Sequence, residues 1–241
     1  MHARNTILLN MRKNLSIYVI AYVFLLMVVF GLLSVYPKLE LHMLLNSWHN
    51  HLEDTFFKYY SMMAEGPIYV LALLPALWKQ IRLTVFFGLC ELSGGAVLQI
   101  LKHTLCLERP ICAFEHVSNM TLPIVDGVNM HHGNSFPSGH ASTFFVFCTC
   151  CALFLAYRHK MSHKHQPLNN ILFHLSLLSL LFLAALGAFS RVYLSQHFLI
   201  DVCAGSIIGF ITPLIIFYFG RKKILKLNND DEVMPETSAA S

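Results

Sequence analysis

Six long, nearly charge-free apolar blocks limit what this chain can fold into more tightly than any other feature. They run over Ile17–Tyr36, Tyr59–Trp78, Leu83–Leu101, His140–Tyr157, Asn170–Phe189 and Phe198–Gly220. About 20 apolar residues suffice to cross the hydrocarbon of a bilayer as a helix. Backbone N–H and C=O groups find no water there, so each block must satisfy its own hydrogen bonds, and helix is the form that does so. The charged fraction agrees: 12% of the residues are Asp, Glu, Lys or Arg, against about 25% in soluble domains. The expected fold is an all-α, six-span transmembrane bundle forming one domain over residues 1–227. A disordered cytoplasmic tail is expected over 228–241, where Asn228-Asn229-Asp230-Asp231-Glu232 starts a polar stretch.

The first block follows Arg4, Arg12 and Lys13, as the apolar part of a secretory signal would. It is longer than such a segment and ends Ser34-Val35-Tyr36-Pro37-Lys38, without the small residues of a cleavage site, so a retained span is expected. Basic residues concentrate in cytoplasmic loops. With six spans, 12 of the 17 Lys and Arg fall on the side of the termini, and Lys38, Lys58, Lys102, Arg109 and Arg191 fall on the other. The expected arrangement is a multi-pass inner or plasma membrane protein with cytoplasmic termini. The net charge of +4 follows from this bias and makes no case for nucleic acid.

Between the first two blocks, Leu41, Leu44, Leu45, Trp48 and Leu52 recur at helical spacing among polar residues. A helix lying in the interface and an ordinary amphipathic packing helix both fit this pattern. The seven cysteines show no metal-ligand spacing. Cys148, Cys150 and Cys151 read as small packing residues in a span, while Cys106 and Cys112 share the long outer loop, paired or unpaired.

Three clusters stand at the outer ends of the last four blocks. Lys102 and Arg109 are seven residues apart, so a helix continuing past Leu101 would set both cations on one face before Pro110 ends it. Interfacial cations often only extend toward water, but an Arg fork and a Lys ammonium also suit a phosphate. Pro137-Ser138-Gly139-His140 opens the fourth block. A helix N-terminus presents free N–H groups to an anion, Gly139 allows close approach, and His140 could protonate a leaving oxygen. An ordinary Ser cap would have the same sequence. Ser190-Arg191-x5-His197-x3-Asp201 enters the sixth block. At i,i+4 on a helix, Asp201 would meet His197 and fix its tautomer, freeing the other ring nitrogen to attack. A buried His–Asp pair that only packs helices is the bland alternative. Taken together, the clusters supply what phosphoryl transfer requires: three cations, a nucleophile and a proton donor.

This three-part pattern, Lys-x6-Arg-Pro, Pro-Ser-Gly-His and Ser-Arg-x5-His-x3-Asp, resembles the type 2 phosphatidic acid phosphatase (PAP2) family, whose site design is shared with vanadium haloperoxidases. The resemblance implies that His197 attacks phosphorus to give a phosphohistidine, oriented by Asp201. It implies that His140 protonates the leaving group and then activates water. Lys102, Arg109, Ser138, Gly139 and Arg191 would bind the phosphate oxygens, with no metal and no cofactor. The implied partner is a phosphorylated membrane lipid on the periplasmic or outer face. Candidates are lipid A at its 1- or 4'-phosphate, undecaprenyl diphosphate, phosphatidylglycerophosphate and phosphatidic acid. A phosphotransferase using the same site, and a non-catalytic transporter or binding protein, are the alternatives. Glu91 is expected to bond a neighbouring helix. His103, His116, Asp126, His131 and His132 are candidates for shaping headgroup preference.

Overall fold

The computed structural model describes residues 2–71, 81–117, 119–161 and 167–224. Among these residues every regular element is helical. Helix α1 spans His2–Val35, α2 Lys38–Leu45, α3 His51–Met62, α4 Ile81–Leu105 and α5 Pro110–Glu115. They are followed by α6 over Gly139–Met161, α7 over Pro167–Tyr193 and α8 over Leu199–Ile224. Five stretches of the described residues are long and apolar enough to cross a membrane: Asn14–Val35, Ile81–Glu115, Gly139–His159, Leu168–Tyr193 and Leu199–Gly220. They correspond to five of the six expected spans. The other, Tyr59–Trp78, is interrupted: α3 ends at Met62, a turn follows, helix resumes over residues 66–71, and 72–78 lie outside the described residues.

Helix α6 occupies the centre, packed against α7, α8, α4 and α1. Its neighbours close a core of Tyr18, Tyr22, Phe86, Phe145, Val146, Leu177 and Phe210. On the perimeter the apolar side chains point outward: Ile20, Phe24, Leu92, Phe182 and Phe219 are exposed. Such a surface is insoluble in water and natural in lipid, where the hydrophobic effect no longer drives helices together and close packing with interhelical hydrogen bonds takes over. Both devices are present. The Tyr18 hydroxyl lies 3.1 Å from Thr149 Oγ1 and that of Tyr22 3.1 Å from Ser206 Oγ, tying α1 to α6 and α8. Thr143 Oγ1 donates to Glu91 Oε1 at 2.5 Å, joining α6 to α4, so Glu91 does bond a neighbouring helix. Gly205 and Gly209 bring α8 so close to α6 that a Cβ on either would stand 2.3 Å from a backbone oxygen, of Ser138 and Ser142 respectively.

The amphipathic stretch after α1 is two helices rather than one. Pro37 precedes α2, and Asn50 caps α3 by accepting from Leu52 and Glu53 N–H at 3.1 and 2.9 Å. An Asn cap satisfies the free donors of a new helix and so favours the break. Helix α2 is anchored inward by the buried His42 and Asn46. His42 Nε2 lies 3.2 Å from Ser195 Oγ, and Asn46 Nδ2 donates to the Val192 carbonyl at 3.1 Å. The two contacts grip the last turn of α7 and the segment that joins it to α8.

Candidate active site

Lys102 lies in the last turn of α4, which stops at Leu105, where Cys106 takes φ 45°. That left-handed residue turns the chain, so the expected continuous helix face carrying Lys102 and Arg109 does not form. Arg109 is instead the residue before α5, with extended backbone and Pro110 in the first helical position. A fixed φ and a missing N–H suit proline to that place. Arg109 is nonetheless brought back toward Lys102: both line a cavity of about 380 Å³ with Gln99, His103, His131 and Asn134. Asn134 holds the cavity wall by donating to the Lys102 carbonyl at 2.9 Å. The Arg109 side chain is locked by two carbonyls, Gly133 at 3.0 Å from Nε and Gln196 at 2.9 Å from Nη1.

The loop following α5 leads to Ser138, fully buried, whose N–H donates to the Asp201 carbonyl at 3.0 Å. Its hydroxyl oxygen lies 3.5 Å from the Ala141 N–H, a loose cap on α6, so the cap and an anion-facing hydroxyl are compatible. Gly139 opens α6, and no atom lies within 4 Å of where its Cβ would be, so the space over this helix start is open. His140 is half-buried on the first turn, near the cations Arg191, Lys102 and Arg109 and the imidazole of His197.

At the end of α7 the Arg191 carbonyl accepts from both Gln196 and His197 N–H, at 3.0 and 3.1 Å. The intervening loop closes on itself through Ser195, at φ 52°, whose hydroxyl donates to the Pro123 carbonyl at 2.7 Å. Ser190 turns its hydroxyl back to the Gly187 carbonyl at 2.6 Å, a local structural bond. Arg191 is buried; its Nη1 donates to Ser61 Oγ of α3 at 2.6 Å, while among the described residues its Nε has no hydrogen-bond partner.

His197 and Asp201 are 2% and 1% exposed. They do not share a helix as the spacing suggests, because α8 starts at Leu199 and His197 precedes it. The contact nevertheless forms, at 3.5 Å between His197 Nδ1 and Asp201 Oδ2. Asp201 Oδ2 also accepts from the Phe198 N–H at 3.0 Å, so the carboxylate caps α8 as well as facing the imidazole. The other ring nitrogen, Nε2, faces Arg109 Nη1 at 3.5 Å. Burial pushes the imidazole down to about 4, with Asp201 opposing and Arg109 and Arg191 adding to the fall, so His197 is neutral at pH 7.

All eight expected site residues therefore converge on one mouth of the bundle. Among the loop candidates, His103, His131 and His132 line the cavity, whereas His116 merely ends α5. The Asp126 carbonyl accepts from Lys58 Nζ at 3.0 Å. Cys106 and Cys112 are free thiols. Sequence reasoning missed Ser61, Ser135, His42 and Gln196. Ser61 carries no local signal, because only packing of α3 on α7 brings it to Arg191. Ser135 sits three residues before Ser138, and its short distance from the second motif was the one available hint.

Fold and site together define a multi-pass membrane protein in which a neutral histidine, backed by a carboxylate, faces a ring of cations. Residues 83–225 match the PAP2 superfamily, and the chain belongs to that family. It is 28% identical over 183 residues to a protein of Dictyostelium discoideum described as a probable sphingosine-1-phosphate phosphatase, a match spanning 72% of this chain and 40% of the relative's length. Two solved structures share the fold. LpxE of Aquifex aeolicus has a TM-score of 0.55 at 22% identity, covering 76% of this chain and 97% of that one. A transmembrane PAP2-type phosphatidylglycerolphosphate phosphatase from Bacillus subtilis also has a TM-score of 0.55, at 16% identity, covering 90% and 98%.

Proposed function

We propose that the protein hydrolyses a phosphorylated membrane lipid through a phosphohistidine on His197. The observation that carries this reading is the polarity of that one imidazole: Nδ1 faces Asp201 and Nε2 faces Arg109 at 3.5 Å, where an anionic phosphoryl group would be held. In the reaction the His197 Nε2–P bond forms as the bond from phosphorus to the lipid oxygen breaks. His140 gives that oxygen its proton. Water, losing a proton to His140, then attacks phosphorus and returns the electron pair to Nε2. Lys102, Arg109 and Arg191, with the Ser138 hydroxyl and the α6 N-terminus at Gly139, neutralise the equatorial oxygens. The three cations perform the charge neutralisation that magnesium ions perform in other phosphoryl transferases.

The names of two relatives support a lipid phosphate monoester as substrate class, since one is described as a sphingosine-1-phosphate phosphatase and one as a phosphatidylglycerolphosphate phosphatase. Lipid A phosphates, phosphatidic acid and undecaprenyl diphosphate complete the panel to be tested. With six spans, 12 of the 17 basic residues fall on the side of the termini, which supports cytoplasmic termini and a site on the opposite face.

Phosphate release from this panel, by protein purified in detergent with EDTA, tests the reading. Release from one lipid that survives EDTA and disappears in His197→Ala, together with trapped acid-labile phosphoprotein in the wild type only, is the expected result. Release that persists in His197→Ala would refute the mechanism. A phosphorylated acceptor lipid in place of free phosphate would make the protein a phosphotransferase.

A further inference from the structure

Ser135 belongs to none of the three motifs, yet it stands between their two most buried members. Its side chain is fully enclosed, and its N–H is fixed by the Leu107 carbonyl at 2.8 Å. Ser135 Oγ lies 2.5 Å from Asp201 Oδ2 and 3.3 Å from His197 Nδ1. The direct separation of Nδ1 and Oδ2 is 3.5 Å, beyond an ordinary N–H···O bond. Carboxylate and imidazole are therefore joined through a hydroxyl more than directly.

A serine hydroxyl has one proton to give and two lone pairs to accept with. Ser135 Oγ donates to Asp201 Oδ2, so its proton points at the carboxylate. That leaves a lone pair of Ser135 toward Nδ1, and only a ring nitrogen carrying hydrogen is matched there. We infer that Ser135 is a positioning residue that holds His197 in the Nδ1–H tautomer and so leaves the Nε2 lone pair facing Arg109 Nη1. Its consequence for rate rests on the phosphohistidine reading, but the tautomer exists without substrate. In that mechanism the phosphorylated ring keeps its Nδ1 proton and carries a positive charge, which Asp201 offsets through Ser135. Ser135 retains its own proton throughout, and the bonds made and broken are those at phosphorus.

Several charged or titratable groups face this ring. Asp201 comes from α8, Arg191 from α7, and Arg109 from the segment before α5. His140 of α6 lies within electrostatic reach of His197, and His42 of α2 within reach of Asp201. Asp201 is the one carboxylate among these groups, so it is the one charge here that favours the protonated ring against burial and the cations. With the hydroxyl gone, a bare Asp201 faces the imidazole, and an opposite charge at such range favours the protonated ring.

The test is nitrogen-15 NMR of histidine-labelled, full-length protein in detergent micelles, with His197→Ala identifying the His197 signals. Wild type is expected to show Nδ1 protonated and Nε2 bare between pH 6 and 8. In Ser135→Ala the apparent pKa of His197 should rise by about one unit or more. Its kcat should fall about ten- to hundredfold, the usual effect of losing a group that orients another, with KM within about threefold. Ser135→Thr, which restores a hydroxyl, should recover the pKa and most of kcat. A merely structural serine would lower the active fraction and leave the pH titration where it was, and that result overturns the inference. So does an Nε2–H tautomer in the wild type, which is decisive even if the alanine variant fails to fold. An Nδ1–H tautomer in a protein that releases phosphate from no lipid would instead overturn the proposed function alone.

Discussion

Replacing Gly205 by alanine tests whether the meeting of α8 with α6 sets the geometry of the site. The added Cβ would lie 2.3 Å from the Ser138 carbonyl oxygen and 3.2 Å from Ala141 Cβ. Tight but real Cβ contacts begin at 3.0–3.4 Å, so the two helices must separate by 0.7–1.1 Å at this point. The obstructing atom is backbone, so no side-chain rotation relieves the clash. Ser138 is also held by its N–H bond to the Asp201 carbonyl, and it immediately precedes Gly139 and His140. The displacement therefore falls between the residue proposed to donate the proton and the pair proposed to attack. Overpacking of this kind costs about 1–3 kcal/mol of stability. A misplacement near 1 Å costs about a hundredfold in rate. Phosphate-release kinetics and thermal melting in one detergent should show kcat reduced about a hundredfold, with a smaller proportional loss of stability. Gly95→Ala on α4 is the control, because nothing lies within 4 Å of its Cβ. There alanine should leave activity unchanged and add at most about 1 kcal/mol of helix propensity. A Gly205→Ala enzyme within twofold of wild-type kcat would refute the claim that this close approach positions the site.

Two further predictions concern protonation and orientation. Burial holds His197 down to about 4, and His42 also falls to about 4 by burial, so both stay neutral where unfolded histidines, near 6.5, take up protons. The acid limb of kcat/KM should accordingly lie near pH 4 rather than near 6.5. Because the unfolded chain binds more protons, stability should fall as pH drops from 6.5 toward 4, by about 1.4 kcal/mol per pH unit for each group. An acid limb centred at 6.5, or melting insensitive to pH over that window, would contradict the buried, neutral assignment. Ser61→Ala should remove the side-chain partner that Arg191 Nη1 has among the described residues. Hydrogen bonds to charged groups contribute about 1.5–3 kcal/mol, so kcat/KM should fall about tenfold or more, mainly through KM, and an unchanged KM would show that α3 does not orient this cation.

The sequence alone determined the solvent, the element type and the chemical inventory. Blocks of about 20 apolar residues leave the backbone no alternative to helix in lipid, so α4, α6, α7 and α8 could be read with small errors at their ends, while α1 begins at His2, well before the block at Ile17. The eight candidate residues were legible as a group because three short motifs displayed them at span ends, and the fold brings them to one mouth of the bundle. Local spacing failed where the backbone departed from regular helix. Left-handed Cys106 breaks the helix that would have joined Lys102 to Arg109, and His197 lies in a closed loop before α8. No periodicity reports such turns, since they are fixed by bonds to residues far away, such as the Pro123 carbonyl on Ser195. Tertiary structure alone decided that Ser61 reaches Arg191 and that Ser135 stands between His197 and Asp201. Contacts of that kind depend on how helices cross, and crossing is governed by small residues such as Gly205 and Gly209, which read in sequence as nothing more than gaps in an apolar run.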